Sequence, residues 1–543
     1  MRKEMNRSLV KGYLRASGKN IVNDNNDTVL LNGWGLGNWL LCEGYMWLSQ
    51  DNQRFDRPHR IEAVIRHLAG SEFSEYFWKE FRSRYITKED IRLMAELGYN
   101  SVRIPFNWRI LLEDEPGLRW IEKGFALLDN CIDWCEEYGL YAFPDMHGAP
   151  GGQTGHNIDD SIDDLPRLFI DQDSWDKGIA IWEKIAARYK DRWIVGGYDL
   201  LNEPIRPVRE GIIDCDHLVP ELMRFYDEAG AAVRKHDRKH MLSIEGHHWS
   251  TMTTVFNRRY DDNMVIHFHR YGCMPDFQSY KEYLELSERL NLPLWLGETG
   301  ENTLEWFTAM YPLAAELGIG YNIWPWKKME TSNSPLSVNK PAQWQKLLDF
   351  TEGGERPSYE ETQSILREYL DNIQAENCTH NAAVTQACLR KCGCTVRGTD
   401  FDHFPGKGIS FKGNRREESP SSYRQDSGMC IKTRKEQEEK KFIFDCCWDL
   451  LTLELSQDEF AVYSVYDTPE QGTIALELQV LQDAILDISA GENLLDTLEI
   501  KATPDIITSK AVLLPQAEKM PVKISVRTGT IQLDRIIFSS ALT

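Results

Sequence analysis

The sequence predicts an α/β protein, a TIM (β/α)8 barrel followed by a small C-terminal antiparallel β-sandwich domain. Over residues 1–373, eight short β-rich segments alternate with longer amphipathic stretches of helical periodicity. After Leu370 the pattern changes, and from Phe442 onward short alternating segments recur with turn residues between them. An open doubly wound sheet is the alternative for the first region, but the sequence there has no Gly-rich dinucleotide fingerprint.

The barrel assignment depends on a regular alternation of strands and helices. Candidate strands are Val29–Trp34, Ser101–Pro105, Tyr141–Met146, Asp199–Asn202, Met241–Glu245, Met264–Phe268, Pro293–Gly297 and Gly320–Trp324. Helical patterns between them include Lys88–Leu97, Lys123–Tyr138, Ser174–Tyr189, Pro220–His236 and Thr303–Leu317. Eight strands, each followed by a crossover, are the number that closes such a barrel. We therefore assign residues 1–373 to the barrel domain.

Two further regions follow the barrel. Residues 374–441 are predicted to be a linker or an irregular segment, with a charged surface loop over Arg415–Lys441. Residues 442–543 are predicted to form the sandwich, with strands at Phe460–Tyr466, Thr473–Leu481, Ile485–Ile488, Thr497–Ile500, Lys523–Arg527 and Ile531–Phe538. Residues 374–408 carry Cys378, Cys388, Cys392 and Cys394, of which only Cys388 and Cys392 have zinc-like spacing, so free thiols are favoured and no metal is predicted.

Composition excludes several classes of partner. The 543 residues carry a formal net charge of −22, which repels phosphate backbones and anionic membranes. The sequence contains no run of about 18 apolar residues and no apolar leader after Met1, so neither a membrane span nor secretion is predicted. These observations favour a cytoplasmic protein and fit a neutral substrate, although they do not select one.

Chemically reactive side chains fall where the predicted strands end. In a (β/α)8 barrel, the C-terminal ends of the strands form the rim on which active sites are built. The side chains in these positions are Arg103, Asp145, His147, Asn202, Glu203, Glu245, His269, Tyr271, Glu298 and Trp324. A rim glutamate considered alone could equally be a structural ion-pair partner. Their coincidence on the expected strands favours a catalytic site.

Two of these carboxyl groups suggest a specific reaction. Glu203 follows the fourth predicted strand in "YDLLNEP", and Glu298 ends the seventh in "LPLWLGETG". Carboxyl groups on strands four and seven face each other across the barrel mouth. Glycosidases that retain anomeric configuration need such a pair about 5–5.5 Å apart, one as acid/base and one as nucleophile, whereas inverting enzymes need a wider gap.

The other rim residues suit supporting roles. Arg103 beside Glu298 would keep that carboxylate ionised, and Tyr271 and His269 can donate hydrogen bonds to it. Glu203, in a drier position, would have a raised pKa and keep its proton for the leaving oxygen. Asn202 offers a donor to a sugar hydroxyl, and His147 is a further site candidate. Trp324 offers a flat apolar face to a sugar ring, with Trp34 and Trp326 in secondary positions.

Over residues 28–330 the sequence resembles glycoside hydrolase family 5, the large cellulase-type family. The motifs that carry the resemblance are "SVRIPFNW", "PDMHGAPGGQTG", "LLNEP", "HFHRY", "WLGETGEN" and "GYNIWPWK". The resemblance implies that Glu203 is the proton donor and Glu298 the nucleophile, which agrees with the assignment made from the residues. It implies no metal and no other cofactor.

Within that family, "LNGWGLGNWLLCEGYMW" and "HGAPGGQTG" are most similar to exo-β-1,3-glucanase and β-glucosidase-like members. This implies exo-attack on a β-glucoside or a short β-glucan, with Glu43 in contact with the terminal sugar. The sequence departs from those members at "GETGEN" and in the insertion Gln50–Tyr85. An endo-β-glucanase, a β-mannanase and a β-mannosidase therefore remain alternatives. The C-terminal segment faintly resembles carbohydrate-binding modules of families 6 and 35, and a domain that only stabilises the barrel is its alternative.

Two other functional classes are compatible with a barrel of this kind. A metal-dependent lyase or isomerase would need several carboxylates that converge on a cation. A non-catalytic glycan-binding protein would usually lack one of the two glutamates, and both Glu203 and Glu298 are present. The retaining β-glycosidase is therefore the leading hypothesis.

Overall fold

A computed structural model describes residues 8–49, 52–209, 211, 213–404, 410–413, 423–433 and 448–540. Its first part is a closed barrel of eight parallel strands in sequential order, in which β8 pairs with β1. The strands are β1 Asn32–Gly35, β2 Ser101–Asn107, β3 Tyr141–Gly148, β4 Gly197–Asp199, β5 Met241–Glu245, β6 Met264–Arg270, β7 Leu294–Gly300 and β8 Gly320–Trp324. The predicted (β/α)8 barrel is confirmed.

Helices surround the barrel and cover its strands. They are Pro58–Ala69, Ser71–Arg84, Lys88–Leu97, Glu122–Tyr138, Gln172–Tyr189, Val219–Arg234, His247–Ser250, Gln278–Leu290, Leu304–Glu316, Gln345–Thr351, Tyr359–Asn372 and Ala382–Cys388. The first two of them form the insertion between β1 and β2. None of the described helices combines the length and the apolar content that a membrane-spanning helix needs.

Local sequence signals explain where these elements begin and end. The helix Lys88–Leu97 starts with a capping box, in which Asp90 accepts a hydrogen bond from the backbone N–H of Thr87. It ends at Gly98, whose φ of 104° favours glycine. The strand β2 that follows is buried at every residue, as expected for a parallel strand covered on both faces.

Strand β4 is shorter than the sequence predicts. It ends at Asp199, so Asn202 and Glu203 lie beyond it rather than inside a strand. The segment stays fixed because the N–H of Asn202 donates to the carbonyl of Met146 in β3. Glu203 itself has a φ of 43°, in the left-handed region that non-glycine residues seldom adopt. The chain therefore turns sharply at this residue.

The C-terminal part is an antiparallel sheet domain of ten strands among the described residues. Its strands are Thr395–Arg397, Phe411–Lys412, Cys430–Thr433, Leu451–Ser456, Phe460–Thr468, Thr473–Ala490, Asn493–Ile500, Thr503–Thr508, Val512–Leu513 and Ala517–Ser539. Two pairs of predicted strands are in fact single long strands, because register shifts between Thr473–Ala490 and Ala517–Ser539 let both continue past the interruption.

The predicted linker is largely structured. The helix Ala382–Cys388 packs on the barrel helix Leu304–Glu316, and Thr395–Arg397 pairs with the C-terminal strand Ala517–Ser539. The ion pair Lys519–Glu316, 2.7 Å apart, also joins the two parts. Most of the predicted loop Arg415–Lys441 lies outside the described residues. Two of the cysteine thiols considered for zinc, Cys388 and Cys392, are free and buried.

The acidic loop after β3 ties the inserted helices to the barrel. The Asp160 carboxylate accepts hydrogen bonds from Asn107 at 2.7 Å, from Arg109 at 2.7 and 2.8 Å, and from the His59 backbone at 2.8 Å. Its neighbour Asp159 accepts three backbone N–H groups. Both residues are buried, so they anchor this loop to the interior of the protein.

We expect Asp160→Asn to lower the free energy of unfolding at pH 7 by about 3 kcal/mol, because Arg109 then lacks its charged partner. Although burial opposes the charged form, Arg109 and the hydrogen bonds from His59 lower the pKa of Asp160 to about 2. That value lies below the unfolded value of about 3.9, so this stabilisation is present above it and is lost as the pH falls. The difference between the two proteins should therefore shrink from about pH 4 towards pH 2.

Urea unfolding at a series of pH values measures this effect. Asp163→Asn in the same loop is the matched control, since Asp163 forms a partly exposed ion pair with Arg167, with side chains 35% and 46% exposed. Such a pair contributes about 0–1 kcal/mol. Equal losses of stability in the two variants would contradict the role of Asp160.

Candidate active site

A single buried guanidinium organises the barrel mouth. Arg103 in β2 is fully buried and donates from Nε to Asp199 at 2.8 Å. Its Nη2 donates to Asn202 at 2.8 Å and lies 3.1 Å from both Glu245 and Asp145. Its Nη1 donates to Glu298. The planar fork of arginine suits such multiple contacts, so Arg103 fixes groups from β3, β4, β5 and β7 together.

Glu298 is held by two donors. Besides Arg103, the hydroxyl of Tyr271 donates to its Oε1 at 2.7 Å. Glu298 is 4% exposed, and its partners are a cation and a neutral hydroxyl. Both contacts favour the charged form of the carboxyl group. The predicted contacts of Arg103 and Tyr271 with Glu298 are thus present.

Glu203 is positioned through its backbone and its side chain. Its N–H donates to Oε2 of Glu245 at 2.7 Å, and its carbonyl accepts the hydroxyl of Thr154 at 2.7 Å. Its Oε1 lies 2.8 Å from Nδ1 of His269. Burial raises the pKa of the Glu203 carboxyl, and the hydrogen bond with His269 opposes that rise.

The Glu203 and Glu298 carboxyl groups are close neighbours. One oxygen of each and a ring nitrogen of His269 all lie within 4.8 Å of one another. His269 Nδ1 is 3.7 Å from Oε1 of Glu298, so the imidazole contacts Glu203 rather than the carboxylate for which the sequence had proposed it. A register shift between Phe268 and His269 in the pairing of β6 with β7 sets this direction.

A chain of buried hydrogen bonds connects Glu203 to polar side chains in the barrel interior. His267 Nδ1 lies 3.1 Å from Asp199 and 2.9 Å from the hydroxyl of Ser243, and its Nε2 lies 3.0 Å from Nε2 of His269. A Cβ on Gly297 would lie 2.0 Å from His267 Nε2, so only glycine leaves room for this ring. The chain therefore runs from Asp199 through both imidazoles to Glu203.

The charges along this chain set its protonation. Although burial lowers it, Glu245 and Glu298 raise the pKa of His269 well above its ordinary value. Burial opposes ionisation of Glu245 as well, but His269 and His267 lower the pKa of that carboxyl far below its usual range. His269 is therefore an imidazolium at neutral pH, and Glu245 is its carboxylate partner.

Asn202 is oriented on both sides of its amide. Its Oδ1 accepts from Arg103, and its Nδ2 lies 3.3 Å from Nε2 of His147. Burial and Arg103 lower the pKa of His147 to about 4, so this ring is neutral. Its Nδ1 lies 2.8 Å from Asp145 and carries the hydrogen, which leaves Nε2 as the acceptor for Asn202.

Trp324 lies against the site with one face covered. Its ring stacks on His147 with centroids 5.0 Å apart and planes 6° apart, and its Nε1 donates to Tyr45 at 2.9 Å. A Cβ on Gly35 would come within 2.5 Å of the indole, so the glycines after β1 make room for it. Trp34 and Trp326, the predicted secondary platforms, are wrong for that role because both are buried in the core.

The structure thus brings the predicted residues together at one end of the barrel. Glu43 also belongs there: it is 4% exposed and interacts electrostatically with Glu298 and Glu203. By contrast, Trp448 of the C-terminal domain is fully buried and offers no platform for a sugar.

Sequence reasoning missed several members of the site. Three of them, Asp199, Ser243 and His267, could have been found from the sequence, since each is a polar residue in an otherwise apolar strand. A buried polar side chain needs hydrogen-bond partners, which indicates a polar cluster inside the barrel. Glu301 and Lys328 lie just beyond β7 and β8, in segments that already carried predicted residues. Whether these two side chains reach the site depends on the conformation of the loops, which the hydrophobic periodicity of the sequence does not reveal.

Three groups of side chains in the described residues are close enough to hold a metal ion. Two of them, formed by Glu203, His269 and Glu298 and by Glu245, His267 and His269, are the hydrogen-bonded network described above. The third is Asp216, His247 and His248, where His248 Nε2 lies 2.6 Å from Asp216. Hydrogen bonds and ion pairs account for the first two groups, whereas in the third His247 only packs its ring on His248, with centroids 4.5 Å apart.

The carboxyl groups of Glu203 and Glu298 have different electrostatic environments. Glu298 is bound by a guanidinium and a hydroxyl donor, whereas burial raises the pKa of Glu203, which lies on a hydrogen-bonded chain. Environments that push two titratable groups apart in this way assign the roles of acid and base.

The family model "Cellulase (glycosyl hydrolase family 5)" matches residues 62–330. The chain is 30% identical over 309 residues to a protein named Beta-xylosidase from Phanerodontia chrysosporium, a match that covers 53% of this chain and 61% of that protein. It is 25% identical over 315 residues to Endoglucanase C of Acetivibrio thermocellus, with 48% and 90% covered.

A third relative is Glucan 1,3-beta-glucosidase of Candida oleophila, which is 28% identical over 265 residues, with 44% of this chain and 58% of that protein covered. The chain thus spans about three fifths of two of these relatives. The matched range contains Arg103, Glu203 and Glu298 and every strand from β2 to β8. Residues 62–330, just under half of the chain, are therefore similar to glycosyl hydrolase family 5.

Proposed function

We propose that this protein is a β-glycosidase that retains anomeric configuration, with Glu203 as acid/base and Glu298 as nucleophile. The observation that carries the proposal is the separation of the two groups, whose carboxylate oxygens lie within 4.8 Å. Retaining enzymes place their carboxyl groups about 5–5.5 Å apart, whereas inverting enzymes need about 6.5–9.5 Å to admit water. One oxygen of each group lies within 4.8 Å of the other, which supports the shorter of these two separations.

The first chemical step uses the difference in charge between the two groups. An oxygen of Glu298 forms a bond to the anomeric carbon, and the glycosidic C–O bond breaks. Glu203 gives its proton to the departing oxygen, so the leaving group departs as a neutral alcohol. Arg103 and Tyr271 keep Glu298 ionised before attack. The product of this step is a glycosyl ester on Glu298.

The second step reverses these roles. Glu203, now a carboxylate, takes a proton from a water molecule whose oxygen attacks the anomeric carbon, and the ester bond to Glu298 breaks. The imidazolium of His269, 2.8 Å from Glu203, stabilises that carboxylate between the two steps. Two inversions give net retention. Positioned acid/base groups of this kind contribute about 10²–10⁴-fold to the rate.

The substrate that we propose is a β-linked glucoside or short oligosaccharide, attacked from its non-reducing end. Two of the relatives described above are named for β-linked sugars, Beta-xylosidase and Glucan 1,3-beta-glucosidase, and the third is named Endoglucanase C. The buried carboxyl group of Glu43 beside Glu298 supports exo-attack, since it offers a partner for hydroxyl groups of a terminal sugar. An endo-β-glucanase, a β-mannanase or a β-mannosidase is the alternative.

The double-displacement assignment is tested by removing each glutamate. Glu298→Ala should reduce turnover of an aryl β-glucoside by at least about 10⁴-fold, and azide should restore it as the α-glycosyl azide, because the anion replaces the lost nucleophile on the opposite face. Glu203→Ala should be rescued as the β-glycosyl azide. Proton NMR of the parental reaction should show the β-anomer first.

A matched control keeps this test specific. Glu288→Ala removes a surface glutamate with a 72% exposed side chain that pairs with Lys19, and it should leave turnover unchanged. An α-configured first product would exclude retention, and parental rates in both catalytic variants would exclude the assignment. An inactive parental protein that binds oligosaccharides would instead favour a glycan-binding role.

The pH dependence follows from the state of Glu203. The first step needs this group protonated, so kcat/KM should fall as the pH rises through its pKa. Because burial raises that pKa, the fall should occur above the ordinary glutamic acid value of about 4.3. Glu203→Ala should lose this basic limb on a dinitrophenyl glycoside, whose leaving group needs no proton. If Glu203→Ala keeps the same fall in kcat/KM at high pH as the parental protein, a group other than Glu203 causes that fall.

Glu245 is expected to act as a positioning residue. It accepts the N–H of Glu203, contacts Arg103 and keeps His269 charged, without being placed to reach the sugar. Glu245→Gln should lower kcat by about 10–100-fold, the equivalent of a hydrogen bond to a charged group, with KM near the parental value. The pH profile should shift with it, because the pKa of His269 falls. A parental kcat and an unchanged profile would contradict this role, with Glu288→Gln as control.

A further inference from the structure

A second set of polar side chains lies beside the catalytic pair, where the loops after β7, β8 and β1 meet. Glu301 follows β7, Lys328 follows β8 and Tyr45 follows β1. The ammonium group of Lys328 forms an ion pair with Glu301 and lies 5.4 Å from the centre of the Tyr45 ring. The hydroxyl of Tyr45 accepts from Nε1 of Trp324, which links this set to the sugar-facing tryptophan.

The ion pair is held in place rather than free on the surface. The side chains of Lys328 and Glu301 are only 11% and 15% exposed. Lys328 lies in the short strand Lys327–Met329, which pairs with Leu336–Val338. Glu301 has a φ of 48°, a left-handed conformation that costs free energy and directs its side chain towards Lys328. Such a pair is positioned for contact with a ligand.

The position of the pair identifies the part of the substrate that it faces. Glu203 follows β4 and protonates the leaving oxygen, so the leaving group lies on the β4 side of the mouth. Strands β7, β8 and β1 lie across the barrel from β4. The sugar that is transferred to Glu298 therefore extends towards Glu301 and Lys328, with its non-reducing end directed at them.

The buried carboxyl group of Glu43 makes this end of the site suitable for binding sugar hydroxyl groups. The carboxyl group of Glu43 is buried and forms no hydrogen bond with any described residue. Burial raises the pKa of Glu43, as do the nearby carboxylates of Glu298 and Glu301, with Lys328 opposing them. A sugar supplies the hydroxyl donors and acceptors that this buried group lacks.

We propose that the Glu301–Lys328 pair closes the glycone end of the site and binds hydroxyl groups at the non-reducing end of a single terminal sugar. The carboxylate accepts from one hydroxyl and the ammonium donates to its neighbour, which suits a vicinal diol. With the pair in place, no second sugar unit extends beyond the one bound at Glu298. The inference rests on the proposed glycosidase function and makes this pair the element that enforces exo-attack.

The test compares an aryl β-glucoside with the aryl β-cellobioside, which releases the aryl group directly only if a second sugar fits beyond the first. The parental protein should prefer the glucoside. Glu301→Gln and Lys328→Met should each lower kcat/KM on the glucoside about 10–100-fold, mainly through KM. The double variant Glu301→Ala/Lys328→Ala should gain at least about tenfold in the cellobioside to glucoside ratio of kcat/KM.

Controls separate this inference from the function on which it rests. Lys19→Ala/Glu288→Ala removes an exposed ion pair, with side chains 52% and 72% exposed, and should leave the ratio unchanged. Thermal unfolding of each variant shows whether it is folded, and the single substitutions serve if the double variant is not. An active parental protein whose ratio does not respond to any of the substitutions overturns this inference alone. Direct release of the aryl group from the cellobioside by the parental protein also overturns it, whereas inactivity on every glycoside overturns the proposed function.

Discussion

The active-site end of this barrel depends on the burial of one positive charge. Taking a guanidinium out of water costs several kcal/mol unless close anions and hydrogen bonds compensate for it. Arg103 has no exposure, and its compensation comes from Asp145, Asp199, Glu245 and Glu298, which lie on four other strands. Because the fold must bring these acidic groups together to tolerate the charge, the same contacts that stabilise the barrel end also fix Glu298, for which we propose the role of nucleophile. Folding of this end of the barrel therefore also places the side chains of the site in their working positions.

The balance of charge around Arg103 explains why Glu203 keeps its proton. Four acidic side chains surround Arg103, although burial raises the pKa of one of them, Asp145, and the imidazolium of His269 is a second buried cation beside them. A further negative charge on Glu203 would lie within 4.8 Å of Glu298 and would have His269 alone to stabilise it. Burial is the main reason that the neutral acid is favoured, and the negative charges of Glu298 and Glu245 add to the effect. The raised pKa of Glu203 therefore needs no unusual chemical group.

The sequence predicted the parts of this site that local pattern determines. The strand ends placed Arg103, Glu203 and Glu298 on the correct side of a closed barrel, because strand order and direction follow from alternation alone. It misplaced features that depend on register and on loop conformation. The register shift at His269 directs that ring towards Glu203. The inward position of the acidic loop depends on hydrogen bonds that Arg109 and His59 donate to Asp160. The indole of Trp34 lies in the core for the same reason, since side chains alternate between the faces of a strand and sequence does not fix which face is the lumen.

The C-terminal domain bears on the same end of the barrel through the helix Leu304–Glu316. This helix starts just after Glu301 and is buried from Trp306 to Ala314, without the polar face of a surface helix. The helix Ala382–Cys388 and the strand Thr395–Arg397 pack against it, and the hydroxyl of Thr308 donates to the carbonyl of Thr395 at 3.4 Å. A helix that is apolar all round must be covered, so the second domain is a structural requirement of the segment that follows the nucleophile. This coverage holds the β7 loop in position and gives the domain a physical role that needs no sugar-binding surface of its own.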